Sequence, residues 1–236
     1  VTTINGGVFQ NDGTLLSGGS PGTFTVDGDF GFGATAAYDF ELGGVEPGVH
    51  VGHDQLTVTG EFDLGGAADV VEFGGFDVSV GDSFDVVNAG TLTGSFHEIN
   101  GLDVGGGVVL DVVQTDGSIT LDARAVTHQG DDGDNVLTGT SGVDVFSAGA
   151  GDDTIIGGGG ADLMQGGDGD DVFVAPDTSF GRLDGGGGTD VLEFTGADQS
   201  FDLTGLRGDQ LSGIEAIDFG GSGDNTLMLN DFIVLA

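Results

Sequence analysis

A nine-residue period runs without interruption through residues 130–174. The units are 130–138, 139–147, 148–156, 157–165 and 166–174. In every unit the fourth residue is Gly, the sixth is Asp or once Asn, and the eighth is a large apolar residue. A strand this short cannot bury its apolar residue alone, so successive units have to stack. The period therefore predicts a β-solenoid.

The polar positions of the repeat indicate a metal site made of oxygen ligands. Gly at the turn positions permits close backbone approach, so carbonyl oxygens can be aimed at one point. The sixth residue adds a side-chain oxygen in each unit, from Asn135, Asp144, Asp153, Asp162 and Asp171. Calcium prefers about six to eight such oxygens, whereas transition metals prefer His or Cys, which the segment lacks. The residues therefore predict calcium.

This pattern resembles the G-G-x-G-x-D-x-U-x nonapeptide of the repeats-in-toxin (RTX) family, whose members leave bacteria by type I secretion. The resemblance implies a calcium-binding β-roll in which two nonapeptides form one coil. It also implies that each ion lies between turns one coil apart. The lower turn supplies carbonyls from positions two and four, the upper turn supplies carbonyls from positions one and three, and both supply their position-six side chains.

Transferred to this chain, the family pattern gives three sites. The first would use Thr140, Gly142 and Asp144 with Gly157, Gly159 and Asp162. The second would use Gly149, Gly151 and Asp153 with Gly166, Asp168 and Asp171. The third would use Asp131, Gly133 and Asn135 with Ala148, Ala150 and Asp153, and Asn135 should weaken it by removing a charge.

A sixth motif follows at residues 185–193, and its Asp190 is one residue out of step with the period. A site there would bring the count to four, so we expect at least three calcium ions.

The strongly negative charge of the chain argues against one class of partner, nucleic acid. The net charge is −37, with no Lys and only three Arg. Nucleic acid is therefore not expected as a partner, because binding phosphates requires clustered cations. There is no Cys to form disulfides, and no apolar run reaches the roughly 18 residues that would span a membrane. Because the first residue is Val, we expect a fragment or a processed product.

The remaining sequence also has the character of strands and tight turns. Residues 18–23, 54–60 and 81–87 resemble the last coils of autotransporter and adhesin passengers, which are right-handed β-helices. We therefore expect an all-β chain forming a right-handed parallel β-solenoid. Its parts would be a β-helix or β-rich region at residues 1–126, the calcium-binding roll at 127–174, and an irregular continuation with a C-terminal cap and secretion signal at 175–236.

Two smaller features allow alternative interpretations. His50, His53 and Asp54 could form a metal or acid–base cluster, although a polar loop is the simpler interpretation. Residues 231–236, an Asp followed by apolar residues, resemble a type I secretion signal but could equally form another strand. The sequence has neither a Ser nucleophile elbow nor an H-E-x-x-H zinc helix, so we expect no enzymatic activity.

These features favour a secreted structural or adhesive protein of the bacterial surface or extracellular matrix, with folding triggered by calcium. Its partners would be further copies, bound end to end, or a surface or matrix polysaccharide or protein. The alternative is the non-catalytic C-terminal module of a secreted protease, lipase or alginate epimerase. A carbohydrate-binding module is less favoured, because the chain has no Trp and Tyr38 is its one Tyr.

Overall fold

The structure is a computed structural model that describes residues 2–11, 14–15, 21–48, 52–196, 198, 200–220 and 223–229. The chain divides into two compact units, Val1–Arg124 and Ala125–Ala236. Almost all regular structure in the described residues is β-strand, and the exception is a short 3-10 turn at Gly208–Gln210. No helix among these residues is long and apolar enough to cross a membrane. The expected all-β parallel solenoid is confirmed.

The first unit is built from two sheets whose strands alternate along the chain. Its strands are β1 (Thr2–Asn11), β2 (Thr14–Leu15), β3 (Thr23–Phe32), β4 (Ala37–Leu42), β5 (Gln55–Leu64), β6 (Ala67–Glu72), β7 (Ser83–Gly94), β8 (Glu98–Asn100), β9 (Asp103–Gly105), β10 (Val108–Gln114) and β11 (Ser118–Ala125). Strands β1, β3, β5 and β7 pair in parallel in one sheet, and β2, β4, β6 and β8 do so in the other. The two sheets therefore form the coils of a β-helix.

Alternating apolar residues of these strands fill the interior of the first unit. The rings of Phe30 and Phe62, on neighbouring coils, stack with centroids 5.3 Å apart. Tyr38, Phe62 and Phe84 are fully buried. This arrangement follows from the side-chain alternation of strands, which places every second residue on one face.

The end of the first unit departs from the parallel arrangement. β11 pairs antiparallel with β7, and β10 pairs antiparallel with β9. Gly106 and Gly107 between β9 and β10 both have positive φ, as a tight hairpin turn requires. The strands that begin at Val108 and Ser118 thus complete the seven-stranded sheet as antiparallel neighbours instead of adding another coil.

The second unit contains two five-stranded parallel sheets and one pair of strands. Its strands are β12 (His128–Gln129), β13 (Val136–Thr138), β14 (Val145–Ala150), β15 (Thr154–Ile156), β16 (Leu163–Asp168), β17 (Val172–Ala175), β18 (Arg182–Gly187), β19 (Val191–Phe194), β20 (Ser200–Asp202), β21 (Leu211–Ser212), β22 (Ala216–Phe219) and β23 (Thr226–Met228). The sheets have the orders β12-β14-β16-β18-β21 and β13-β15-β17-β19-β22.

The position-eight residues of the repeat lie between these two sheets. Phe146, Ile155, Met164 and Phe173 are at most 1% exposed, and Leu137 of the first repeat packs against the same core. Leu183 and Leu192 continue this core beyond the repeats. Stacked coils thus bury the apolar residue that a single short strand could not bury.

Candidate calcium site

The turns between the strands of the second unit form two columns. The long column consists of turns 130–135, 148–153, 166–171 and 185–190, which lead into β13, β15, β17 and β19. The short column consists of turns 139–144 and 157–162, which lead into β14 and β16. Because the strands on either side pair in register, each turn lies one coil above its predecessor.

A ladder of hydrogen bonds connects the position-six residues of the long column. The N–H of Asn135 donates to Oδ1 of Asp153 at 2.7 Å, and the N–H of Asp153 donates to Oδ1 of Asp171 at 2.8 Å. The short column repeats the contact, since the N–H of Asp144 donates to Oδ1 of Asp162 at 2.9 Å. One carboxylate oxygen of each later turn is therefore fixed by the turn before it.

The second oxygen of these carboxylates has no protein partner in the long column. Oδ2 of Asp153, Asp171 and Asp190 is buried without a hydrogen bond, and these side chains are at most 1% exposed. Burying a charged oxygen without a partner is unfavourable, and a cation is the partner that compensates an ionised carboxylate. These atoms therefore fit a hard cation.

Backbone carbonyls complete the oxygen lining between successive turns. Above the second turn of the long column, a side chain at Gly167 would collide with the carbonyl oxygen of Gly149, and one at Gly169 with that of Gly151. The carbonyls of positions two and four therefore face the turn above. The carbonyl of Asp168, at position three, faces down and accepts the N–H of Gly151 at 2.8 Å.

The first position of a turn marks where oxygens converge from two coils. An added Cβ at Gly166 would clash with its own turn's Asp171 Oδ2 and would lie 2.6 Å from the carbonyl oxygen of Gly185 above. The same pair of oxygens meets at Gly139, where the Cβ position lies 2.5 Å from the Gly157 carbonyl and 2.8 Å from Asp144 Oδ2. Gly139 and Gly166 thus leave space that two oxygens border, whereas the second turn of the long column has Ala148 at this position.

Of the three predicted sites, the second has the most buried carboxylate oxygens without a hydrogen-bond partner. Its lower turn offers Gly149, Gly151 and Asp153, and its upper turn holds Gly166, Asp168 and Asp171 directly above. Both position-six residues keep an unpartnered Oδ2. The structure therefore brings the six residues of this predicted set together across one gap.

The first predicted site, in the short column, is also brought together but is partly closed by its own turn. Oδ2 of Asp144 accepts the N–H of Thr140 at 2.6 Å and its hydroxyl at 2.9 Å. The carbonyl of Gly142 faces Gly160 of the turn above. Gly157 and Asp162 lie in that turn within reach of the lower one, whereas the Cβ position of Gly159 faces away toward Pro176.

The third predicted site lies at the first turn of the long column, where the Asn135 side chain forms hydrogen bonds within its own turn. Its Oδ1 accepts the N–H of Asp131 at 2.7 Å, and its Nδ2 donates to Oδ1 of Asp131 at 3.2 Å. Above it lie Asp153, through the ladder, and Ala148, whose carbonyl faces Gly130. Ala150 donates its N–H to the Asp131 carbonyl at 3.2 Å, and Gly133 lies below Gly151. The weaker binding expected here stays a prediction.

Asp190 joins the long column even though it is one residue out of step with the sequence period. The N–H of Asp171 donates to Oδ1 of Asp190 at 2.8 Å. The extra residue lies in the turn between β17 and β18, on the opposite side of the coil from the long column. It therefore leaves the stacking of the long column unchanged. The sixth motif therefore presents the same turn geometry as the repeats.

Burial shifts the acidities of the position-six carboxyls. Burial raises the pKa of Asp171 and that of Asp190 from 3.8 to about 6, with repulsion from neighbouring carboxylates adding to it. Burial also raises the pKa of Asp153 and Asp162. The pKa of Asp144 is instead lowered, chiefly by the hydrogen bond from the Thr140 backbone. In Asp153, Asp171 and Asp190, burial thus disfavours the ionised form of a carboxylate whose Oδ2 also has no hydrogen-bond partner.

Sequence reasoning missed a second ladder on the outside of the long column. The N–H of Asp152 donates to Oδ1 of Asp134, and the N–H of Asp170 donates to Oδ1 of Asp152, both at 3.0 Å. The signal was available as an Asp at position five in three alternate repeats. It also missed His128, whose ring stacks on Phe146 and whose Nδ1 lies 3.8 Å from Oδ1 of Asp144.

The histidine cluster considered in the first unit is structural where it is described. His53 and Asp54 are at most 1% exposed. Asp54 accepts the N–H of Gly22 at 2.6 Å and that of Glu41 at 2.9 Å. His50 and residues 231–236 lie outside the described residues. Nowhere in the described ranges do three His, Asp or Glu side chains gather as a metal cluster.

A comparison with protein families supports the assignment of these turns. The family described as RTX calcium-binding nonapeptide repeat (4 copies) matches residues 129–164 and, in a second placement, residues 147–175. No match was found among curated proteins or among solved structures. The resemblance of the first unit to autotransporter passengers stays a prediction. RTX nonapeptide repeats bind Ca²⁺, and several stacked turns hold several ions. Residues 129–175 are therefore a segment of RTX calcium-binding nonapeptide repeats.

Proposed function

We propose that the chain is a secreted structural or adhesive protein of a bacterial surface or extracellular matrix, and that calcium outside the cell triggers the folding of its second unit. The observation that carries this proposal is the long column. Three of its position-six carboxylates are buried, and each keeps an oxygen without a partner. We further propose that the chain has no catalytic activity of its own.

The electrostatics make a cation part of the folded state. The chain carries a net charge of −37, and the repeats hold Asp residues but no Lys or Arg. Stacking the turns without metal brings like charges together and removes them from water. Bound calcium supplies positive charge to the oxygens of two turns at once. Binding energy is therefore also folding energy.

The calcium supply on the two sides of the cell envelope suits such a switch. Extracellular calcium-binding modules commonly bind at about 0.1–1 mM. In a calcium-poor cytosol the second unit would stay expanded, and it would fold once calcium becomes available outside. RTX repeats are typical of secreted proteins, which supports extracellular placement.

The alternative proposal is the non-catalytic calcium-binding module of a secreted enzyme. The same turns support it, since calcium-dependent folding would serve either protein. The two proposals differ in what the folded chain does next. A matrix or surface protein of the proposed kind assembles with further copies or binds a surface polysaccharide, whereas an enzyme module stays monomeric.

The test is a calcium titration of metal-free protein, followed by far-UV circular dichroism and light scattering. We expect β-sheet signal to rise at sub-millimolar to millimolar calcium and scattering to rise with it. The Asp153→Asn/Asp171→Asn double variant should require far more calcium. Its matched control is Asp77→Asn/Asp218→Asn, which changes two exposed carboxylates away from the columns. No response of the wild type would refute calcium-triggered folding, and folding without scattering would favour the enzyme module.

A further inference from the structure

The long column does not end with the repeats, because a different kind of turn lies on top of it. Ser212 pairs with Asp184 and Ala216 with Val191, so residues 213–215 lie above residues 185–190. The upper turn is three residues shorter than a nonapeptide turn. It has no Gly-rich motif and lies outside the residues that the family matches.

Glu215 takes the place of the position-six Asp in this shortened turn. The N–H of Asp190 donates to Oε2 of Glu215 at 2.6 Å. This contact repeats the ladder bond that Asp171 makes to Asp190. The longer Glu side chain thus supplies, from a non-repeat turn, the carboxylate that Asp supplies in the repeats.

Two oxygens also converge at Gly185 as they do at Gly166. A side chain at Gly185 would collide with the carbonyl oxygen of Gly213 above and with Oδ2 of Asp190 in its own turn. Asp190 is 1% exposed, and this Oδ2 is one of the buried atoms without a hydrogen bond. An unpartnered buried carboxylate oxygen therefore points at the space that a cation would fill.

The short column provides the contrast, because it lacks this arrangement at its upper end. At Gly157, Oδ2 of Asp162 lies 2.8 Å from the Cβ position, and the next nearest atoms, out to 3.8 Å, belong to Met164 and Asp162 and not to the coil above. The turn above, between β17 and β18, therefore brings no carbonyl oxygen as close to Gly157 as Gly213 brings to Gly185. The convergence at Gly185 is therefore not a general result of ending a column.

The two arginines of the second unit form hydrogen bonds with groups other than Asp190 and Glu215. Arg182 donates from Nη2 to Oδ2 of Asp184 at 3.0 Å and from Nε to the carbonyl of Asp209 at 3.1 Å. Arg207 pairs with Asp209 at 3.0 Å. Among the ion pairs of the described residues, none includes Asp190 or Glu215.

We propose that Asp190, Glu215 and the carbonyl of Gly213 form a terminal calcium site, which joins the last repeat-like turn to the non-repeat coil above it. The proposal rests on the calcium binding of the proposed function and extends it past the nonapeptides. Calcium at this site would connect β18 and β19 to β21 and β22. The final coil then becomes part of the calcium-dependent fold.

The test counts bound calcium by equilibrium dialysis with radioactive calcium, on the whole chain. Glu215→Gln keeps an oxygen that can accept the Asp190 N–H but removes the charge, and we expect it to bind one ion fewer than the wild type. The control is Asp218→Asn, an exposed change three residues away on β22, which should bind as many ions as the wild type. Circular dichroism at saturating calcium verifies that each variant folds.

A second variant covers the case in which Glu215→Gln is poorly folded. Gly185→Ala places a methyl group where the two oxygens converge, and this variant should lose the same ion. The double variant Glu215→Gln/Gly185→Ala should therefore also bind one ion fewer than the wild type. An unchanged count in both single variants, or a loss of more than one ion from Glu215→Gln, overturns the terminal site. A wild type that binds no calcium would instead overturn the proposed function.

Discussion

The N–H of Asp171 donates to Oδ1 of Asp190 at 2.8 Å across 19 residues, and the N–H of Asp153 makes the equivalent bond to Asp171 across 18 residues. Asp171 therefore lies in the middle of the long column, with a position-six carboxylate one coil below and another one coil above. It borders the gap to the turn below and the gap to the turn above, and its own Oδ2 has no protein partner.

Replacing Asp171 by Asn should weaken calcium binding at both gaps. Asn retains an oxygen for the Asp153 N–H but removes the negative charge. We expect the calcium midpoint of folding to rise at least about tenfold, equivalent to about 1.4 kcal/mol. In calcium-free buffer the same variant should have more β-sheet signal than the wild type, because it removes an uncompensated buried charge from the fold. A calcium titration followed by far-UV circular dichroism measures both effects, the second of them at its calcium-free starting point. A variant that lost stability in both conditions would contradict the cation interpretation.

The opposite change at the first turn should strengthen a site. Asn135→Asp adds a carboxylate below Asp153, and we expect tighter binding of one ion by roughly threefold to tenfold, since ligand charge tunes calcium affinity. The matched control is Asn100→Asp in the first unit, where Asn100 likewise donates to a carboxylate, Oδ1 of Asp69, at 2.9 Å. Calorimetric titration distinguishes them. Equal affinities for the wild type and Asn135→Asp would argue against a site at this turn.

Gly166→Ala tests the space between two turns. Its methyl group would press on Oδ2 of Asp171 and approach the Gly185 carbonyl, so we expect a loss of calcium affinity and about 1–3 kcal/mol of stability. Gly205→Ala is the control, because nothing lies within 4 Å of that Cβ position. Chemical denaturation at saturating calcium provides the measurement. Equal stabilities of the two variants would mean that the gap is not closely lined.

The pH dependence should reverse when calcium is added. Burial raises the pKa of Asp171 and Asp190 to about 6 in the folded state, so their ionisation above that pH destabilises the metal-free fold. Lowering the pH from about 7 toward 5 should therefore increase the β-sheet signal of the calcium-free protein. With calcium present, protons compete with the metal, so the same change should lower the melting temperature. At still lower pH, the stabilisation by Asp144, whose pKa is lowered, disappears. Circular dichroism without calcium and scanning calorimetry with calcium measure the two effects. A fold that is favoured by acid in both conditions would mean that the carboxylates bind no metal.

The repeat is the part of the structure that could be predicted most completely from the sequence, and the reason is physical. Position eight must be apolar and position six must carry an oxygen in every coil, so Phe146 and Asp153 can be assigned from spacing alone. The two-sheet coil follows, because the same faces have to meet at each turn of the solenoid.

Other features depend on contacts that the local pattern does not encode. The alternation at Val108 and Ser118 is the same for parallel and antiparallel strands, so it could not predict the hairpin. The run of Gly105, Gly106 and Gly107 was the available signal. Glu215 stands in a three-residue turn outside the period, and only its hydrogen bond with Asp190 reveals its place.

The position-six ladder has a direction along the chain. Each position-six N–H finds its acceptor on the coil that follows it, from Asn135 to Asp153 and finally from Asp190 to Glu215. A stack that grows from its C-terminal coil therefore offers each new coil an acceptor already in place. If the stack instead grows from its N-terminal coil, the position-six N–H of the newest coil has no acceptor until the next coil is added. The C-terminal coil is thus the natural template for the coils that precede it in the chain.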